Sequence, residues 1–316
     1  MKIHFTKISL IILIITILSG CDAVKRVPED KQLLIRNTVI VNENEDKREE
    51  LNNLIQQQPN SKVLTIPFSL HIFNLAQPNP DSIFQEKIIN NPRKFNFWKA
   101  LISEKQVHRL GESFWYKGKH ELLKKMGDEP VIIDESRAKR SELRLKTYFF
   151  NNGFFDVKTK NSIDSVGIKR GAIIYSIETG DPYVLDSITV NINSPSLDSL
   201  YNITSNQSFV KKGEQFNSSK FDQERSRLTS YFRNNGVYNF QQNYINFDID
   251  TIGTQKKPNV DLIIGDFSYR SGDTLLSKPF VVHKISEVNV FTDSPSSKSN
   301  VRITDSLTYN NYNFYS

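Results

Sequence analysis

Two stretches of the chain share one pattern of hydrophobic and polar positions, and each ends in Asn-Asn-Gly. The sequences "RLKTYFFNNG" at 144–153 and "RLTSYFRNNG" at 227–236 are identical at seven of ten positions. Their apolar residues follow the i, i+3, i+4 spacing of one helix face, namely Leu145, Tyr148 and Phe149 in the first and Phe221, Leu228, Tyr231 and Phe232 in the second. Each stretch predicts a helix followed by a glycine in the left-handed conformation, Gly153 or Gly236.

Alternation of apolar and polar residues predicts three strands around each helix. In the first copy these strands are "QLLIRNTVIV" at 32–41, "FFDVKTKNSI" at 154–163 and "AIIYSIETG" at 172–180. In the second copy they are "YVLDSITVNI" at 183–192, "YNFQQNYINFDID" at 238–250 and "NVDLIIGD" at 259–266. A further helix is predicted after the first strand of each copy, within 45–60 and 194–205.

The element order is therefore β-α-α-β-β, twice, which predicts an α+β fold of two tandem units. The alternative, two α/β modules that share a helix end by chance, leaves the common element order unexplained. Unit 1 is expected at 33–180, with an insert at about 61–128, and unit 2 at 181–267. A linker at 268–280 and the start of an incomplete third unit at 281–316 are expected to follow, because "VVHKISEVNVFTD" at 281–293 resembles the first strands.

The N-terminus has the pattern of a secretory signal. Lys2 and Lys7 flank an apolar run, 8–18, that is shorter than the roughly 20 residues of a membrane-spanning helix. "LSGC" at 18–21 resembles the bacterial lipobox, and Cys21 is the only cysteine of the chain. We expect a signal peptide at 1–20, acylation of Cys21 and a tether at 21–32. The alternative is a buried free thiol behind an uncleaved anchor.

Charge and motif content argue against several functional classes. The 316 residues carry a net charge of +6, but basic residues alternate with acidic ones, as in "EDKREE" at 45–50, so no nucleic-acid partner is expected. The five histidines are scattered without metal-ligand spacing, and "GESFW" at 111–115 lacks the second glycine of a nucleophile elbow. We expect no catalytic residues, no metal site and no cofactor.

The repeated unit resembles the POTRA domain of the BamA/TamA superfamily of outer-membrane assembly proteins. The resemblance is most specific for a lipidated branch, the TamL-like proteins of Bacteroidetes. The segments that carry it are the lipobox at Cys21, "QQPNSKVLTIPFSLHIFNLAQP" at 57–78, "MGDEPVIIDE" at 126–135 and "KKGEQFNSSKFDQERSRLTSYFRNNGVYNF" at 211–240. In that family a β-barrel follows the POTRA units. Because the chain stops at "TDSLTYNNYNFYS", the expectation is that it is the soluble N-terminal part of a larger protein.

The resemblance implies a lipid-anchored protein of the cell outer membrane whose soluble part lies in the periplasm. Its implied partners are unfolded outer-membrane or secreted proteins, and also a separate β-barrel protein or an inner-membrane TamB-like protein. Two alternatives stay open, namely a scaffold for an envelope secretion or division complex and a surface lipoprotein that binds glycans.

The mechanism that the fold offers is addition of a client strand to a sheet edge. In a sheet of order 1-3-2, the second strand is at the edge. The candidate client-binding residues are those predicted for this strand in the two units, Val157, Lys158, Thr159 and Lys160, and Tyr244, Ile245, Asn246 and Phe247. The polar residues Lys158, Lys160 and Asn246 are expected to oppose self-association.

The insert is rich in aromatic residues, and two interpretations of them remain open. The residues in question are Phe68, Phe73, Phe84, Phe95, Phe97, Trp98, Phe114, Trp115 and Tyr116. They either pack together as a subdomain or form an exposed binding surface, which is the basis of the glycan alternative.

Overall fold

The computed structural model describes residues 23–291, 305–310 and 312–315. Cys21, the predicted signal peptide and the lipobox lie outside the described residues. The chain divides into two compact units, one formed by the described residues up to 150 together with 156–180, the other by 151–155 together with the described residues from 181 onward.

Unit 1 has a four-stranded sheet and one long helix. Its strands are β1 (Leu33–Val41), β2 (Asn44–Glu45), β3 (Lys158–Gly167) and β4 (Arg170–Glu178), in the spatial order β2-β1-β4-β3. β1 runs parallel to β4, whereas β3 and β4 form an antiparallel hairpin. The first helix, α1, is short (Glu49–Asn52).

The insert of unit 1 is helical. Its elements are α2 (Phe68–Leu75), α3 (Pro80–Phe84), a π-helical turn (Gln85–Ile89), α4 (Pro92–Leu101), α5 (Glu104–Leu110), a second π-helical turn (Phe114–Gly118) and α6 (Lys119–Met126). The long helix α7 (Glu135–Asn151) follows, and buries Leu145 and Phe149 as its hydrophobic pattern predicts.

Unit 2 has the same element order. Its elements are β5 (Ser187–Ile192), α8 (Pro195–Thr204), α9 (Ser218–Asn234), β6 (Ile245–Asp250) and β7 (Asn259–Ile264). The sheet order is β5-β7-β6, with β5 parallel and β6 antiparallel to the central strand. Leu228 and Phe232 of α9 pack with Leu262 and Ile264 of β7 in a fully buried core. The α+β class and the repeated β-α-α-β-β order are confirmed.

The predicted linker at 268–280 contains regular structure. Strands β8 (Phe267–Ser271) and β9 (Thr274–Lys278) form an antiparallel hairpin around Gly272, whose φ of +61° suits the turn. Their alternation is weak because nearly all of their side chains are exposed, so the sequence gives little strand signal. The segment expected as a linker thus contains a hairpin over most of its length.

The segment expected to begin a third unit forms less strand than predicted. Among the described residues of this segment, 281–291, only β10 (Val288–Phe291) is a strand, and it joins β11 (Ser306–Tyr309) and β12 (Tyr312–Tyr315) in the order β10-β12-β11. Residues 292–304 lie outside the described part of the chain.

Two further predictions need correction. The segment 21–32 is not a free tether throughout, because Ala23, Val24 and Val27 are buried against Leu70 of α2. The helix predicted within 45–60 is only α1, because the residues after Asn53 extend along another segment of the unit, as described below.

Candidate functional site

The outer edge of β3 is the exposed edge of the unit 1 sheet. β3 pairs with β4 along its whole length, and no strand among the described residues pairs with its other side. The ten residues of β3 alternate in burial at first, and from Ser162 onward all of them are exposed. The second strand of the unit therefore lies at the edge, which is the position that the 1-3-2 order implies.

The opposite edge of the same sheet, β1, is closed at both ends. At its start the backbone amide of Leu34 donates to the carbonyl oxygen of Val131 at 2.8 Å. At its end β2 pairs with the last two residues, and the amide of Asp46 donates to the carbonyl oxygen of Val39 at 2.8 Å. Contacts of this kind block the addition of another strand, so β3 is the more accessible edge.

A buried carboxylate attaches β3 to the long helix. Glu142 of α7 is 4% exposed and accepts hydrogen bonds from the side chains of Thr159 and Asn161 in β3 and from Lys139. Burial raises the pKa of the Glu142 carboxyl, but the hydrogen bonds from Lys139, Asn161 and Thr159 outweigh it and leave the pKa below its usual value. The start of β3 is thus fixed to the helix through its inward side chains.

The four candidate residues of unit 1 differ in accessibility. Val157 precedes β3 and is a core residue, 4% exposed, so its side chain is turned away from solvent. Thr159 is half-buried and bonded to Glu142. Lys158 and Lys160 are exposed and remain candidate edge residues.

The candidate residues of unit 2 are also divided. Tyr244 belongs to a 3-10 turn (Gln242–Tyr244) before β6, and Ile245 is buried in the core. Phe247 is half-buried, and the Arg225 guanidinium carbon lies 5.2 Å from its ring centroid. Asn246 is exposed on β6, whose outer side is unpaired among the described residues.

The repeated helix ends have equivalent backbone geometry. Gly153 and Gly236 have φ of +88° and +92°, the conformation that their position after the helix predicts. The carbonyl oxygen of Gly153 accepts from the amide of Tyr183 at 2.8 Å, and that of Gly236 accepts from the amide of His283 at 2.8 Å. In each copy the glycine therefore joins the helix end to the segment that precedes the next first strand.

The aromatic markers before these glycines divide between core and surface contacts. Phe149 and Phe232 are buried, at 4% and 0% exposure. Tyr231 packs against the unit 2 core, and the Tyr148 hydroxyl donates to Glu50 at 2.7 Å. These residues support the fold rather than the edge.

Two side-chain amides hold an extended segment of unit 1, and sequence reasoning missed their role. Asn60 donates to the Glu129 carbonyl oxygen at 2.8 Å and accepts from the Val131 amide at 3.0 Å. Gln57 bonds in the same way to the Ile132 carbonyl oxygen and the Asp134 amide. Alternate peptide groups of 129–134 are thus paired by side chains, much as a neighbouring strand would pair them.

We call this arrangement the amide clamp, formed by Gln57 and Asn60 on residues 129–134. It brings together the two ends of the insert, because Asn60 lies just before the insert and Glu129 just after it. The only sequence signal was that Pro59-Asn60 and the run 129–132 are the most specific pieces of the family resemblance. Their specificity has a structural explanation at this site.

The aromatic residues of the insert are partly packed and partly exposed. Phe84 forms a buried cluster with Ile88 and Val107, against which Phe95, Trp98 and Tyr116 pack. By contrast, Phe97, Phe114 and Trp115 are 60%, 57% and 79% exposed. Each interpretation therefore describes only some of these residues. Because Trp98 packs on the buried cluster, Trp98 and Trp115 do not both lie on one exposed surface that could bind a glycan.

The described part of the chain lacks two features that would indicate other functions. No cluster of three or more His, Cys, Asp or Glu residues there could hold a metal ion. None of the helices in the same residues is long and apolar enough to cross a membrane.

Comparison with known proteins gives structural neighbours only. No family model matches the chain, and no curated protein matches it. Among solved structures, BamA POTRA3-5 from Haemophilus influenzae aligns at 12% identity and a TM-score of 0.33, over 86% of this chain and 76% of that one. POTRA1-2 of Omp85 from Anabaena aligns at 12% identity and a TM-score of 0.28, over 75% and 98%. The N-terminal domain of Omp85 from Thermosynechococcus elongatus aligns at 13% identity and a TM-score of 0.26, over 55% and 61%. The description of both units as POTRA-like rests on their own element order and sheet order.

Proposed function

We propose that the chain is a lipid-anchored, periplasmic POTRA-like module that binds unfolded outer-membrane proteins by strand addition at β3. The observation that carries the proposal is the difference between the two edges of the unit 1 sheet. β1 is closed at both ends, whereas the outer side of the ten-residue strand β3 pairs with no strand among the described residues. A client strand that adds to this sheet has one long edge available.

The energetics fit a weak and sequence-tolerant receptor. Every second residue of an edge strand directs its N–H and C=O outward, which gives about five such residues in β3 and about three in β6. Each backbone hydrogen bond contributes about 0.5–1.5 kcal/mol net, and the ordering of the client offsets part of the total. Backbone pairing does not depend on client sequence, so one edge can accept many clients.

Side chains of β3 add a mixed environment to this edge. Lys158 and Lys160 are exposed near its start, and Ile163 and Val166 are 36% and 50% exposed nearer its end. The lysines oppose pairing between two copies, while the apolar side chains give a client strand partial burial. Lys158→Ala should therefore change client affinity little, because the backbone makes the main contacts.

Site-specific crosslinking tests the binding edge. A photoreactive residue is placed at Lys160, Ser162 or Asp164 of β3, all exposed, and in a control at Lys146, which is exposed on α7. The probe is an unfolded outer-membrane β-barrel protein. Crosslinks from β3 and not from Lys146 support strand addition, whereas crosslinks confined to the helices or to the insert would refute it.

The anchor is tested separately by lipid labelling. The lipobox predicts that Cys21 is the acyl acceptor, since it is the only cysteine in the sequence. Cells that express the protein are fed radioactive palmitate, and the Cys21→Ala variant should give an unlabelled precursor. Continued labelling and maturation of this variant would refute the anchor.

A further inference from the structure

The last helical segment of the insert has an exposed surface that combines apolar and basic residues. Phe114, Trp115, Leu122 and Met126 are 57%, 79%, 45% and 58% exposed. Four exposed lysines lie among them, Lys117, Lys119, Lys124 and Lys125. We call these eight residues the aromatic–lysine surface.

The members of this surface are neighbours in space as well as in sequence. Phe114, Leu122 and Lys125 line one shallow hollow. Trp115 and Lys119 line a second, together with the buried His120. The residues lie on a π-helical turn and on α6, which are continuous, so the surface follows a single helical segment.

The opposite side of the same segment is occupied by the insert core. The ring centroid of Tyr116 lies 4.9 Å from that of Phe84 in an edge-to-face contact, and Phe84 belongs to the buried cluster. His120 is 8% exposed. Packing of the insert therefore uses Tyr116 and His120 and leaves the aromatic–lysine surface outward.

The described N-terminus is attached close to this surface. The side-chain amide of Asn74 donates to the carbonyl oxygen of Ala23 at 3.2 Å, and the Arg26 guanidinium carbon lies 4.9 Å from the Phe73 ring centroid. Arg26 lines one hollow together with Lys117 and Lys124. The first described residues and the aromatic–lysine surface thus border the same part of unit 1.

Covalent geometry limits how far an acyl chain can lie from this place. Cys21 precedes Ala23 by two residues, and two residues of fully extended chain span at most about 7 Å. Ala23 is itself buried against α2. If Cys21 is acylated, the bilayer surface must come within about that distance of the Ala23 side of unit 1.

We propose that the aromatic–lysine surface rests on the lipid bilayer and holds unit 1 against an anionic membrane surface. The placement rests on the proposed acylation of Cys21. The four lysines against Glu121 give the segment 114–126 a net charge of +3 (4 − 1, with His120 neutral), which suits acidic headgroups. Tryptophan and phenylalanine side chains are favoured at the boundary between headgroups and acyl chains.

The surface also gives the anchor a second membrane contact. A single acyl chain binds a membrane only marginally, and stable attachment requires an additional signal such as more chains or a basic patch. The exposed lysines act within the Debye length, roughly 8 Å at physiological salt, so this contact requires close approach to the membrane.

Trp115 fluorescence provides a direct test without any acyl chain. The protein is produced from residue 21 with Cys21→Ser, and with Trp98→Phe so that Trp115 is the only tryptophan. Vesicles of phosphatidylethanolamine and phosphatidylglycerol should shift Trp115 emission to shorter wavelength. Vesicles of phosphatidylcholine alone, or high salt, should weaken binding about a hundredfold, because each of the three net positive charges near an anionic surface contributes about a factor of five.

A matched pair of variants identifies the residues responsible. Binding is measured by co-sedimentation with the anionic vesicles, and Phe114→Ser with Trp115→Ser together should lower it by about tenfold or more. Ile252→Ser is the control, because Ile252 is 87% exposed in unit 2 and should leave binding unchanged. Circular dichroism checks that both proteins fold.

The outcomes separate this inference from the proposed anchor. Unchanged Trp115 emission with anionic vesicles, or equal sedimentation of the double variant and its parent, would overturn the membrane-facing surface. Absence of palmitate on the wild-type protein would overturn only the anchor. Vesicle binding that is lost in the double variant and kept in Ile252→Ser supports the proposal.

Discussion

Replacing Asn60 with alanine should lower the free energy of unfolding of unit 1 by about 2–4 kcal/mol. Asn60 is 9% exposed, and its amide makes two hydrogen bonds, to the Glu129 carbonyl oxygen at 2.8 Å and from the Val131 amide at 3.0 Å. Two bonds at about 1 kcal/mol each give the lower value. The upper value applies if the two peptide groups of Glu129 and Val131 stay shielded from water after the substitution, since an unsatisfied buried group costs about 1–3 kcal/mol.

Urea denaturation followed by tryptophan emission measures this effect in the relevant unit. Both tryptophans of the chain, Trp98 and Trp115, belong to the insert, so their emission follows the unfolding of unit 1. Gln58→Ala is the matched control, because the Gln58 side chain is exposed and donates to the Asn52 carbonyl oxygen at 2.9 Å. Exposed changes of this kind usually alter stability by less than about 0.5 kcal/mol. Equal midpoints for Asn60→Ala and Gln58→Ala would refute the role of the amide clamp.

Asn60→Asp sharpens the test through its pH dependence. The ionised carboxylate can still accept from the Val131 amide but cannot donate to the Glu129 carbonyl oxygen, whereas the protonated carboxyl can do both. The pKa of the introduced carboxyl in the folded protein is therefore expected above its usual value. A raised folded pKa gives stability that is present at low pH and lost as the pH rises, so the deficit of this variant should shrink on acidification. A deficit that is independent of pH would contradict the donor role of Asn60 toward Glu129.

Four further substitutions, one of them a control, test other parts of the fold. Gly236→Ala should destabilise unit 2 by about 2 kcal/mol or more, measured by thermal unfolding, because an added Cβ would lie 2.5 Å from the His283 carbonyl oxygen at a φ of +92°. Gly253→Ala is the control and should cost only about 1 kcal/mol, because Gly253 has a φ of +68° and an added Cβ would have no described atom within 4 Å. An equal cost for the two glycine substitutions would contradict the effect of the close contact at Gly236. Glu142→Gln should make the stability of unit 1 less sensitive to acid. The pKa of Glu142 is lowered in the folded protein, so its carboxylate contributes stability that is lost as the pH falls below the ordinary value of 4.5. Parallel curves of unfolding free energy against pH for the variant and the wild type would refute this. Phe232→Ala should cost about 3–5 kcal/mol, since Phe232 is fully buried, and a loss below about 1 kcal/mol would show that the unit 2 core collapses around the cavity.

The α+β class and the element order could be predicted because they depend on local periodicity. The apolar positions Leu228, Tyr231 and Phe232 mark one face of α9 without reference to any distant residue. The alternation in "NVDLIIGD" likewise marks β7, whose side chains alternate between exposed and buried at its start. The order of the strands within each sheet was not available from these patterns and came from the family resemblance.

The predictions that failed depend on contacts between residues distant in the chain. The helix predicted in 45–60 ends early because Gln57 and Asn60 bond to residues more than 65 positions away. The packing of the expected tether was not predicted, because nothing local shows that Val24 and Val27 meet Leu70. Side-chain to backbone pairing over such separations leaves no periodic pattern in the sequence.

The two units keep one hydrogen bond at the same position on the long helix but form it with different side chains. Changes of this kind explain why the sequence similarity between the units is visible only at the helix ends. Under the alignment that matches Gly153 with Gly236, Ser141 corresponds to Glu224. The Ser141 hydroxyl accepts from the amide of Gln56 at 3.0 Å, and the Glu224 carboxylate accepts from the amide of Phe209 at 3.0 Å.

Each of these side chains thus receives a backbone amide from the loop after the first helix of its unit. A serine and a glutamate both serve, because the contact requires only a buried oxygen at that position on the long helix. The glycines permit no such exchange, because a positive φ next to another backbone segment excludes a side chain.

The two sheets also differ in the edges that are open to a client strand. The first strand of unit 1 is closed at its start by the clamped segment and at its end by β2. In unit 2 the residues just before β5 pair with 213–216, but the outer side of β5 itself pairs with no strand among the described residues. Equivalent folds therefore present different edges: one long edge at β3 in unit 1, and two short edges at β5 and β6 in unit 2. Among the strands of the described residues, only β3 has an open edge long enough to pair with more than six client residues. The length of the bound segment, measured by hydrogen exchange in the client, should therefore distinguish the two units. Proline substitutions in β3 remove backbone donors from its outer edge. If more than six consecutive client residues stayed protected from exchange with such a variant, this assignment would be wrong.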